Sequence, residues 1–201
     1  IQCLRSHVST PCGIVLNLAR AIGASESEGD DAARRLGDGR LNEWFLDPLH
    51  GRGYPDHVVE VLGEDMGFVK DGDLEAIAQP LDFIGVNYYT RSVLKENKAD
   101  PSRPHALEAP KSNRTDIGWE VIPSGLTDLL VWLNETYRPN DIYITENGAA
   151  YHTPPDDSGR IPDVERERYL HSHLNAILDA REMGVPVSAW FVWSLMDNFE
   201  W

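Results

Sequence analysis

Ile142-Tyr143-Ile144-Thr145-Glu146-Asn147-Gly148 decides how this chain folds. Four β-prone residues run on without a charge, a carboxylate follows, and then an Asn-Gly pair of the kind that turns a chain. A run that is continuous, rather than alternating, reads as a strand covered on both faces. Working outward, three more runs of this type occur at 14–18, 81–89 and 185–195. Helical patterns separate them. A short one lies at 30–36. Ser124 is placed to cap a helix with Leu126, Leu129, Leu130 and Leu133 on one face. Asp163 is placed to cap another, with Leu170, Leu174, Ile177 and Leu178 as its apolar stripe. That second helix is expected to stop at Gly184, with Pro186 beyond it. Strand, helix, strand in this order predicts an α/β fold with parallel pairing and crossover helices.

The 201 residues have the composition of a globular protein: 41% are hydrophobic and 25% are charged. A chain of this length can bury roughly 70% of its unfolded surface. Eighteen Lys plus Arg against 33 Asp plus Glu give a formal charge of −15. Such a surface repels phosphate backbones and anionic lipid, so neither nucleic acid nor a membrane is expected as a partner. No apolar run approaches the ~20 residues of a membrane-spanning helix. Cys3 and Cys12 are read as two ordinary thiols. His171 and His173 fall on different faces of their helix, so no metal site is expected there. There is no Gly-rich phosphate loop and no Gly-x-Ser-x-Gly elbow.

Chemistry is expected where the strands end. Glu146 stands at the exit of the third run. The fourth runs into Trp193-Ser194-Leu195-Met196-Asp197-Asn198-Phe199-Glu200-Trp201. The second ends in Asn87-Tyr88-Tyr89, and Asn87 and Tyr89 share a face because strand side chains alternate. Long loops at 95–117 and 151–162 follow two of these ends, where α/β folds place active sites. Carboxylates, an amide, a phenol and indoles at one rim suit glycoside cleavage. That reaction needs one carboxylate facing the anomeric carbon and a second carboxyl protonating the leaving oxygen. Each residue also has a plainer reading: Glu146 as a solvated turn residue, Trp193 as core, Asn87 as a satisfied buried amide, Glu200 as surface. From chemistry alone, Glu146 and Glu200 pair as nucleophile and acid.

Together these motifs resemble those of the retaining β-glucosidases of glycoside hydrolase family 1. Residues 144–148 resemble the family's nucleophile motif, 193–201 the motif at its last barrel strand, and 82–89 its sixth strand. Residues 14–18, Trp44-Phe45-Leu46-Asp47-Pro48, Gly118-Trp119-Glu120, and Tyr169-Leu170 with His173-Leu174 match in the family's order.

The resemblance implies the C-terminal half, strands five to eight, of a (β/α)8 TIM barrel. Residues 1–201 would form one partial catalytic domain, without the N-terminal half or the last helix. It makes Glu146 the nucleophile, Tyr89 the residue that orients it, and Asn87, Trp193, Glu200 and Trp201 the substrate-binding set. Glu200 thereby becomes a ligand for sugar hydroxyls rather than the acid. The acid/base of the family's Asn-Glu-Pro segment would lie outside this chain, in which no Asn-Glu-Pro occurs. A negative Glu200 disfavours a 6-phosphate, so an unphosphorylated β-glucoside or oligosaccharide is the expected substrate. No metal or organic cofactor is implied. The expected partner is the missing N-terminal half of the barrel, and the chain alone is expected to be inactive. Two other readings stay open: a non-catalytic carbohydrate-binding or assembly half-barrel, and a thioglucosidase-type member of the family.

Overall fold

The computed structural model describes residues 1–63 and 66–200. In chain order the elements are helix α1 (Gln2–Arg5), strands β1 (Gly13–Asn17) and β2 (Ala21–Gly23), and helix α2 (Glu28–Asp38). A π-helical stretch over Gly39–Glu43 leads into α3 (Trp44–Leu49), α4 (Asp56–Leu62) and α5 (Asp73–Ile77). Strands β3 (Phe83–Asn87), β4 (Ser92–Lys95) and β5 (His105–Ala106) follow, then α6 (Pro123–Tyr137), β6 (Ile142–Asn147), α7 (Val164–Glu182) and β7 (Val187–Val192).

The four expected strands form one parallel sheet in the order β1-β3-β6-β7. Gly13 to Asn17 pair in step with Phe83 to Asn87. A second, three-stranded sheet has the order β2-β4-β5 and sits above the carboxyl ends of β1 and β3, packed against α2. Its β5 lies inside the stretch expected as the loop 95–117.

The core lies on one side of the main sheet. Ile84 and Val86 of β3, Ile142 and Ile144 of β6, and Val187 of β7 pack with Leu126, Leu129, Leu130 and Leu133 of α6 and with Ile177 and Ala180 of α7. The four α6 leucines are fully buried. At about 1.5–3 kcal/mol per side chain removed from water, they anchor the helix far more firmly than its intrinsic propensity does.

The opposite face differs from expectation. Val15 and Phe191 are exposed, and Tyr143, Thr145 and Asn87 are only half-buried. Continuous apolar runs predicted cover on both sides, but within these residues the second face is open. Phe83 stacks on Tyr143 there, with ring centroids 4.4 Å apart.

The helix ends also need correction. Ser124 does not cap α6. Pro123 occupies the first turn, where its missing N–H costs nothing, and Ile122 precedes it at φ −136° and ψ 80° without a side-chain cap. Asp163 does stand at the N-cap of α7, in the left-handed region at φ 43°, but makes no capping bond; its Oδ2 is taken by Arg166. The buried stripe of α7 is Tyr169, His173, Ala176, Ile177 and Ala180, whereas Leu174 and Leu178 are exposed. The i, i+4 leucine spacing thus marked a face that this chain leaves uncovered. His173 points inward and His171 outward, as their spacing required. The helix ends at Glu182, and Gly184 has the positive φ, 88°, of a C-terminal glycine.

Candidate active site

The carboxyl ends of β3, β6 and β7 converge. At the end of β6 the Glu146 carboxylate is half-buried, and its Oε2 accepts a 2.5 Å hydrogen bond from the Tyr89 phenol. A bond this short is typical of a hydroxyl facing an ionised oxygen. Tyr89 stays protonated as the donor. Burial first, and then the Glu146 bond and the nearby charges of Glu146 and Glu200, push its pKa upward. The Glu200 side chain is exposed, and its charge adds to the upward shift at Tyr89. Tyr89 also packs against Trp119 at 5.2 Å between ring centroids.

Asn87 shares the Tyr89 face, as the two-residue period required. Its Oδ1 accepts a 2.6 Å bond from the Thr145 hydroxyl, so the amide is oriented from the neighbouring strand. The intervening Tyr88 points the other way. It is fully buried and donates to the Ile122 carbonyl oxygen at 2.9 Å. Trp193 is half-buried, and its backbone N–H donates to the Asn147 carbonyl at 3.0 Å, tying the β7 exit to the residue beside Glu146. Its indole Nε1 is buried without a hydrogen-bond partner among the described residues. Trp201 lies outside the described residues.

The structure therefore brings together Glu146, Tyr89, Asn87 and Trp193 at the strand exits, whereas the Glu200 side chain is exposed. It does not make Asn147-Gly148 an ordinary turn. Asn147 is the last residue of β6 and is fully buried. Two further residues escaped the sequence reading. Thr145 orients Asn87. Arg166, on α7, donates to the carbonyls of Ala149 and Tyr151 and to the carboxylates of Asp163 and Asp197. It thereby fastens the segment after β6 to the one that carries Glu200. An arginine in the first turn of a helix carries no local signal of such a role.

A cavity of about 320 Å³ opens at the other end of the strands, near Leu49, Leu81, Phe83 and Tyr137. It is remote from these groups.

Comparison with known proteins agrees with this picture. The family model for glycosyl hydrolase family 1 matches residues 2–201. The chain is 38% identical over 191 residues to the 1,4-beta-D-glucan glucohydrolase of Thermotoga neapolitana, covering 94% of this chain and 44% of that protein. It is 40% identical over 200 residues to the beta-glucosidase of an Agrobacterium species, covering 97% of this chain and 43% of that protein. Among solved structures, the family 1 β-glucosidase from Thermotoga maritima superposes with a TM-score of 0.92 at 35% identity, over all of this chain and 45% of that one. An enzyme from Alicyclobacillus herbarius gives the same TM-score at 40% identity, over 98% of this chain and 45% of that one. The chain thus spans rather less than half the length of these relatives. Its four parallel strands and their helices are the C-terminal half of a (β/α)8 barrel.

Proposed function

The chain belongs to glycosyl hydrolase family 1, and from that membership we propose that it supplies the nucleophile-bearing half of a retaining β-glucosidase. The substrate is an unphosphorylated β-D-glycoside. The observation that carries this reading is the Tyr89–Glu146 hydrogen bond at the strand exits. It holds one carboxylate oxygen and leaves the other to form a bond to the anomeric carbon.

In the reaction, a Glu146 oxygen attacks that carbon as the glycosidic C–O bond breaks. The leaving oxygen takes a proton from a carboxylic acid supplied by a segment beyond these 201 residues. Water then attacks the glycosyl ester, gives its proton to the same acid/base, and frees Glu146. Two inversions restore the starting configuration, which requires the two carboxyls to lie about 5–5.5 Å apart. Asn87, Glu200 and Trp201 hold the sugar hydroxyls, and Trp193 offers a flat apolar face to the ring. A negative Glu200 makes a phosphorylated sugar a poor fit.

Trapping tests this directly. The whole protein is treated with a 2-deoxy-2-fluoro-β-glucoside bearing a good leaving group, and the labelled peptide is mapped. The adduct is expected on Glu146; an adduct on another side chain, or none, overturns the assignment. The purified 201-residue chain is expected not to turn over an aryl β-glucoside. Turnover that Glu146→Gln abolishes would show that this half is sufficient.

A further inference from the structure

Glu146 leaves the sheet where the sheet is irregular. The β3–β6 register shifts between Val86 and Asn87, and the β6–β7 register shifts between Ile144 and Asn147. A ladder interrupted in a buried place must have its polar groups satisfied in some other way. The Asn147 side chain does so for three elements at once. Its Nδ2 donates to the Tyr88 carbonyl at 2.9 Å and to the Tyr169 hydroxyl at 3.1 Å, and its Oδ1 accepts from the Trp190 indole at 3.3 Å. The Tyr169 phenol then donates to the Tyr89 carbonyl at 3.2 Å. His173 stacks on the Tyr169 ring at 3.8 Å, and its Nδ1 is 2.8 Å from the Tyr169 carbonyl. Asn147, Tyr169 and His173 are all essentially buried.

We infer that Asn147 and Tyr169 are positioning residues, which hold the Tyr89 backbone against the β6 exit so that the Tyr89 phenol meets the Glu146 carboxylate. The functional meaning of the pair rests on the reading proposed above; the geometry of the clamp does not. The Tyr169 side chain is buried and takes no place at the exposed rim. It acts through the Tyr89 carbonyl, two residues past Asn87 at the end of β3, and Asn147 links it to β7.

A thermodynamic cycle separates this role from simple packing. Tyr169→Phe, Tyr89→Phe and the double variant of the whole protein are unfolded in urea. Loss of one phenol bond raises the unfolding equilibrium constant by roughly fivefold. With Tyr169 already Phe, the Tyr89→Phe change is expected to add less than about twofold, because the phenol no longer sits against Glu146. Full multiplication of the two effects overturns the proposal. Tyr137→Phe is the control, since its phenol bonds Asp47 at 2.8 Å at the far end of the sheet. Its effect should multiply with that of Tyr89→Phe.

Proton NMR gives a second readout. The short Tyr89–Glu146 bond should produce a downfield hydroxyl resonance, assigned by its loss in Tyr89→Phe. That resonance is expected to move upfield or vanish in Tyr169→Phe and to persist in Tyr137→Phe; persistence in Tyr169→Phe overturns the proposal. Neither measurement requires turnover. Failure to trap a sugar on Glu146 would therefore sink the proposed function while this result stood.

Discussion

A Cβ built on Gly148 would stand 1.9 Å from the Trp193 carbonyl oxygen, a backbone atom that cannot swing away. Close approach of β6 and β7, not a positive φ, is what demands glycine here. Gly148→Ala is expected to cost about 1–3 kcal/mol in urea unfolding by forcing the two strand exits apart. Gly159 has φ 79° and nothing near its Cβ position, so Gly159→Ala measures the conformational penalty without the clash. At Glu146 itself, Glu146→Gln keeps the shape and removes the carboxylate that the proposed mechanism uses as nucleophile. On that proposal it should lower kcat of the whole protein toward an aryl β-glucoside by at least about 10³-fold while the Tm stays nearly unchanged. A smaller loss would mean that another group forms the bond to sugar.

Helices α6 and α7 present two kinds of leucine. Leu129 is fully buried, whereas Leu178 is 46% exposed. Leu129→Ala should cost about 2–5 kcal/mol and Leu178→Ala less than about 0.5, both read from urea midpoints at constant m. Equal costs would show that the outer face of α7 is covered in solution. The inner face of α7 carries a titrating group. Burial holds the His173 imidazole at a pKa of about 4, the Tyr169 carbonyl bond partly opposing this, against about 6.5 in an unfolded chain. Its Nε2 is buried without a partner among the described residues, and its ring faces Tyr88 and Tyr169. Because the folded pKa is the lower one, the unfolded chain takes up the proton first as pH falls. Stability from this group is complete above pH 6.5 and declines toward pH 4, by about 3 kcal/mol in all. Unfolding measured from pH 7 to 4 should show this slope, and His173→Gln should flatten it. A slope unchanged by the substitution would place the titration elsewhere.

Across the whole molecule, the sheet has a covered face and an open one. Val15, Phe191, Val192 and Leu195 are exposed at or beside the open face and the edge strand β7. Among the described residues, β1 and β7 are the edge strands. Surfaces of this kind invite association. The 201-residue chain is expected to bind an apolar dye strongly, and an added amino-terminal half-barrel of the same family should suppress that signal. Dye binding that the second half leaves unchanged would argue against completion of a barrel on this face. The formal charge of −15 opposes self-association at low salt, so any dimerisation of the chain should strengthen as salt is added.

Local chemistry was enough to find the four strands, their parallel pairing and helices α2, α6 and α7, because continuous apolar runs and 3.6-residue spacing are properties of neighbours along the chain, but it passed over α3, α4 and α5. It was also enough to put Glu146, Tyr89 and Asn87 at strand exits, since alternation assigns a face to each residue. It could not tell which leucines of α7 are covered, because that depends on what packs beside the helix and not on the helix itself. It read Asn147-Gly148 as a turn, since an amide next to a glycine looks the same whether solvated or buried. Only when three strands and a helix come together does that amide find the carbonyl, the indole and the phenol that satisfy it. The hydrogen bond between Tyr89 and Glu146, 57 residues apart, exists only in the folded chain.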